Sequence, residues 1–204
     1  MDAPGDEYAA LAARGEAELT VRGSRFLALA VPVRDRRACE AAIAARRKDM
    51  HDASHHAFAY RLGAAGAEQR AGDDGEPAGS AGRPILGAIA GASVSDVLVV
   101  VTRYFGGTKL GVGGLARAYR DAAAAALRHG GRAVRVLCAA LDVTVPPCAV
   151  GPVMRAVAGA GGKILSSQYD AEVLLAVEIR RSRLEGLRAS LIDASRGAAR
   201  ISVR

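Results

Sequence analysis

The chain has 204 residues, half of them apolar and 24% charged, ordinary for a globular protein with one large core or two small ones. No apolar run nears the roughly 20 residues of a membrane span, and the acidic, Ala-rich start lacks the basic-then-apolar order of a secretion signal. The net charge of +7 is unevenly placed: residues 1–96 carry −2, residues 136–204 carry +3, and residues 97–135 carry seven basic groups against Asp121 alone, a net of +6. Such a local field suits a polyanionic partner, the plainer alternative being arginine that solubilises an Ala-rich surface.

Residues 1–17 read as a flexible start. Glu18–Val33 reads as two strands broken at Gly23-Ser24, and Asp35 as the N-cap of a helix over Arg36–Lys48 with Ala38, Ala41, Ala42 and Ala45 on its apolar side. Cys39 falls in this helix. With Cys138 and Cys148 it makes an odd number without a C-x-x-C pair, which predicts buried free thiols in a cytoplasmic protein. Ser54–Leu62 alternates as a strand with His56, Phe58 and Tyr60 on one face, and Glu68–Ala71 returns as a short strand. A Gly-, Asp- and Pro-rich loop over Gly72–Gly82 precedes a helix opened by Pro84. Val97–Val101 is a continuous β-branched run, the pattern of a strand buried on both faces. Arg103–Gly114 reads as a loop with five glycines. A helix from Leu115 to His129 follows, with Leu115, Tyr119, Ala122 and Ala126 inward and Arg117, Arg120, Asp121 and Arg128 outward. Gly130-Gly131 ends it, placing a domain boundary near 130–135. Beyond, a strand over Val136–Val145 opens a β-α-β-β-α-β order across residues 134–204, the ferredoxin-like arrangement.

Two loops could carry chemistry. In the first, Asp73, Asp74 and Glu76 bring three carboxylates within four residues, followed by Arg83. They could hold a divalent cation through oxygen ligands or supply an acid/base pair. Equally, they could form a turn whose aspartates bond their own backbone. In the second, Arg103, Gly106, Gly107, Lys109, Gly111, Gly113, Gly114, Arg117 and Arg120 lie between a buried strand and a helix, where free backbone N–H groups and nearby cations suit a phosphate. The loop is neither a Walker P-loop nor a dinucleotide fingerprint. His51, His55 and His56 are clustered, but neighbours on a strand point to opposite faces, so His55 and His56 are not expected to share one ion.

At these loops the chain resembles the IMPACT/YigZ family of translation-associated proteins. The matching stretches are Ser24-Arg25-Phe26, Asp52-Ala53-Ser54-His55, Asp73–Pro84 and, most specifically, VVVTRYFGGTKLGVGGLARAY over Val99–Tyr119. The likeness spans about residues 18–130, with a looser match beyond. It implies an α+β fold: a split β-α-β domain over residues 18–130 like the fourth domain of elongation factor G, then a ferredoxin-like domain over 134–204. It further implies helices on one side of a mixed sheet in the first domain. Eukaryotic relatives act as translational regulators under amino-acid starvation, through an additional domain not found in this sequence. This chain has Ser54 where the family usually has Thr, and His56 and Ala57 where it usually has a polar residue and Cys, so no reactive thiol is expected there.

Two readings stand. The favoured one is a translation-associated binding protein that contacts RNA or ribosomal surface through the basic, glycine-rich face, with no membrane partner and no cofactor. The alternative is an enzyme acting on a small phosphorylated ligand, with a divalent cation on Asp73, Asp74 and Glu76. What separates them is whether the acidic and glycine-rich loops face each other across an open pocket or are packed shut.

Overall fold

The structure, a computed structural model, describes residues 5–204. The chain forms two compact units, Tyr8–Arg135 and a second made of residues 5–7 with Val136–Arg204.

The first unit opens within strand β1 (Glu7–Leu11), inside the stretch expected to be flexible, followed by β2 (Gly15–Val21) and β3 (Ser24–Pro32). Helix α1 (Arg36–Asp49) starts where Asp35 accepts a hydrogen bond from the Ala38 N–H at 2.8 Å. Arg46, Arg47 and Lys48 fill its last turn and complement the helix dipole. Next come β4 (His55–Leu62), β5 (Glu68–Gly72), α2 (Gly82–Gly91), β6 (Val97–Tyr104), α3 (Gly111–Gly130) and β7 (Arg132–Val136). The main sheet has the order β2-β3-β6-β4-β5, and β1 pairs with β7. Because β6 runs antiparallel to both β3 and β4, the unit β3–α1–β4 is a split β-α-β with β6 inserted.

Two expectations for this sheet are corrected. Every neighbouring pair in it is antiparallel, so the sheet is not mixed. Helices cover both faces rather than one. Val97, Val99 and Val101 of β6 pack in the core under α2 and α3, whereas Leu98 and Val100 pack with Cys39 and Ile43 of α1. That is why β6 reads as an unbroken apolar run. The inward side of α1 is also rotated: Cys39, Ile43 and Arg46 are buried while Ala41 and Ala45 are exposed, because larger side chains bury more area than alanine.

In the second unit β8 (Cys138–Val145), α4 (Val150–Gly159), β9 (Lys163–Tyr169), β10 (Val173–Arg180), α5 (Leu184–Ala194) and β11 (Arg200–Val203) follow in order. The antiparallel sheet β11-β8-β10-β9 is the ferredoxin-like order. Leu141, Val143, Val145, Leu175 and Val177 face Val153, Leu187 and Leu191 of the helices. The strand expected over Val136–Val145 is broken at Leu137, whose N–H donates to the Asp6 carbonyl at 2.6 Å. The Asp6 carboxylate accepts from the Ser182 N–H at 2.9 Å and from its hydroxyl. All three cysteines are free, but only Cys39 is buried. Cys138 and Cys148 sit at strand and helix starts that are open to solvent.

Candidate functional site

The acidic loop folds around its first carboxylate. Asp73 Oδ1 accepts from the N–H groups of Ala81 (3.0 Å) and Gly82 (2.8 Å), and Oδ2 from Gly79 (2.8 Å). Ala81 and Gly82 open α2, so Asp73 supplies the anion that this helix start attracts. Burial pushes its pKa up, but the three N–H donors and Arg83 outweigh that and hold the carboxyl below the usual range. Asp74 turns the chain with a φ of 50°. One of its oxygens accepts from the His56 N–H at 2.7 Å and the other pairs with Arg47.

Glu76 goes elsewhere again. It is 7% exposed, and its Oε1 accepts from Arg103 Nη1 and from the Tyr119 hydroxyl, both at 2.7 Å. Burial and this carboxylate push the Tyr119 hydroxyl pKa far up, so it remains a donor. Arg103, expected in the loop, is the seventh residue of β6 and only 5% exposed. Its Nη2 donates to Ser24 Oγ at 3.3 Å, and its guanidinium lies 5.5 Å from the Phe26 ring centroid and 5.4 Å from that of Phe105. Phe26 meets Tyr119 edge-on at 5.1 Å. Thus the acidic loop, β3, β6 and α3 are pinned through one buried ion pair, whose rupture on one side costs about 3–5 kcal/mol.

The three carboxylates therefore serve three different partners and do not form the cation set considered above. Among the described residues no three His, Cys, Asp or Glu side chains gather as a metal site. His55 and His56 point to opposite faces of β4. His55 Nδ1 lies 2.8 Å from the Asp74 carbonyl, whereas His56 Nδ1 lies 3.1 Å from Thr102 Oγ1 beside buried Arg46. Burial lowers the His56 pKa. His51 is exposed on the turn after α1.

The glycine loop is shorter than expected, because β6 extends to Tyr104 and α3 begins at Gly111. Gly106 packs on the β2–β3 turn so closely that a Cβ there would lie 2.0 Å from the Gly23 carbonyl carbon. Its N–H donates to Ser24 Oγ at 3.1 Å. Gly107 and Gly111 have φ of 82° and 69°, which side-chain-bearing residues resist. Gly113 is different: it is helical, exposed, and a Cβ there would touch nothing within 4 Å. The first turn of α3 has no side-chain cap and no acidic residue.

Around this turn Lys109 and Arg117 are exposed and have no ion-pair partner among the described residues. Arg22, on the β2–β3 turn, joins Arg117, Leu110 and Gly114 along a groove of about 290 Å³. Sequence reasoning missed Arg22 because only strand pairing brings it to the glycine loop. Arg120 departs from the expected cluster: it lines the other flank of α3, toward α2, with Arg128. Arg83 is exposed on the first turn of α2.

The model of the Impact N-terminal domain matches residues 22–127, which include Ser24, His55, the acidic loop, Arg103, the glycine loop and Tyr119. The chain belongs to the IMPACT family. A second match, to a domain of unknown function (DUF1949), covers residues 143–198. Among the IMPACT relatives, YigZ of Escherichia coli K12 is 33% identical over 87% of this chain and 88% of its own length. A Thermus thermophilus family member is 49% identical over 55% of this chain and 60% of its own. A crystal structure of a hypothetical protein superposes with a TM-score of 0.74 at 30% identity, covering 96% of both chains. No helix among the described residues is long and apolar enough to cross a membrane.

Proposed function

We propose that this IMPACT-family protein binds RNA or ribosomal surface, and so acts in translation, through the glycine loop and the first turn of α3. The observation that carries the reading is the N-terminus of α3, uncapped by any described side chain and set among cations. Its leading N–H groups have no capping side chain, while Lys109, Arg117 and Arg22 surround it. A phosphate there would complete the helix start and meet mobile cations. Around the loop Phe105 is the exposed ring, at 50%, so phosphate contacts outweigh base stacking. The enzymatic alternative loses support because Asp73 and Glu76 are committed to backbone donors and to Arg103.

The test is the salt dependence of binding to single-stranded RNA. Affinity falls with salt at a log–log slope of about 0.7 per phosphate contacted. Replacing Lys109 and Arg117 by Ala weakens all RNA sequences alike and flattens the slope by roughly 1–2. Salt-independent binding, or binding indifferent to the double substitution, overturns the proposal. Loss of a small phosphorylated ligand with RNA binding spared returns the enzymatic reading.

A further inference from the structure

A second groove, of about 600 Å³, runs between α2 and α3 on the flank that Arg120 occupies. Its floor is made of small and aliphatic residues, among them Gly87, Ala88, Gly91, Ala92 and Ala124. Gly87 and Gly91 stand one turn apart on the exposed side of α2, and a Cβ at either would meet nothing within 4 Å. Neither has a positive φ. The fold therefore has no use for glycine at these positions, although each weakens the helix relative to alanine. Glycines at i and i+4 leave a shallow channel along a helix, which lets another backbone approach more closely than side chains would allow.

The rim carries Arg120, Arg128 and Arg132. Among the described residues Arg120 pairs with the exposed Asp121 alone, and Arg128 and Arg132 have no ion-pair partner. An apolar floor with a cationic rim complements an aliphatic stripe flanked by carboxylates. It offers no ring to stack on a base.

We infer that this groove receives an amphipathic helix with acidic flanks, contributed by a partner protein. The helix lies along α2 with small or aliphatic side chains over Gly87 and Gly91, and its carboxylates meet Arg128 and Arg132. The site is separate from the glycine loop, so its occupancy and RNA binding vary independently.

In-cell photo-crosslinking of the full chain tests this, with p-benzoylphenylalanine replacing Arg120 and a control placed at Leu165 on β9. The expected result is crosslinks that map, by mass spectrometry of the joined peptides, to an acidic amphipathic segment of another protein. They fall at least 10-fold in Arg128→Glu/Arg132→Glu and in Gly91→Leu, which fills the channel and favours helix. Urea unfolding of both variants confirms that they remain folded, and their RNA affinity at the glycine loop stays within twofold. Crosslinks to RNA, to a second copy of this chain or to basic segments overturn the inference. So does a yield no higher than at Leu165, or one unchanged in folded variants.

Discussion

The starts of α2 and α3 lie on the same face of one sheet and solve the same electrostatic problem in opposite ways. At α2 the chain brings its own anion, with Asp73 accepting three backbone N–H groups. At α3 it brings none: the first turn has no acid and no side-chain cap, and cations gather instead. Tyr119 and Arg103 join the two regions through Glu76, so the closed start braces the open one. An acidic loop and a basic loop that look like two halves of a catalytic site in sequence are thus tied together in the structure by one buried carboxylate.

The largest effect should come from the brace. Arg103→Met leaves Glu76 buried without its cation and should destabilise the protein by about 3–5 kcal/mol in urea unfolding. Arg103→Met/Glu76→Leu should recover part of that loss. If Arg103 were a surface phosphate ligand, stability would change little and RNA binding would fall instead. Asp73→Asn should cost about 1–3 kcal/mol, since buried N–H groups lose a charged acceptor. Its folded pKa is depressed, so its contribution is complete above about pH 4 and is lost as acid protonates the folded state. The wild type should accordingly lose more stability than the Asn variant between pH 5 and that depressed value, monitored by circular dichroism. An equal loss in both would place the acid sensitivity elsewhere.

The open start gives the smallest and most discriminating changes. Gly113→Ala should stabilise the helix by about 1 kcal/mol, because the added Cβ meets nothing. It should nevertheless weaken RNA if a phosphate approaches the backbone there. Gly113→Asp should supply the missing anion, adding about 0.3–1 kcal/mol of stability while repelling RNA. Unchanged RNA affinity in both would mean that the α3 start is merely uncapped.

The elements were largely legible, because caps, alternation and apolar stripes are local signals. Asp35 before α1, the β-branched run of β6 and the ferredoxin-like order of the second unit all appear where the residues point. What sequence could not assign was the partner of each polar group. Arg103 reads as a loop cation, yet strand β6 carries it inward to a carboxylate 27 residues away. Arg22 carries no motif of its own and reaches the glycine loop only through the turn packed on Gly106. Arg117 and Arg120 lie only about 60° apart around α3, yet they fall on either side of its crest and line different grooves. Likewise β1 was hidden in a short acidic segment whose partner, β7, lies beyond α3.

The hydrogen bonds of Asp6 also impose an order in time. Asp6 and Ser182 are separated by 176 positions. At about 5–20 residues per second of synthesis, Asp6 waits roughly 9–35 s before Ser182 is even made. Tyr8–Arg135 is synthesised well before then, whereas the later unit must recruit a residue translated long before it. A ribosome paused between the two would hold a fully synthesised first unit and an Asp6 carboxylate whose donor, Ser182, does not yet exist.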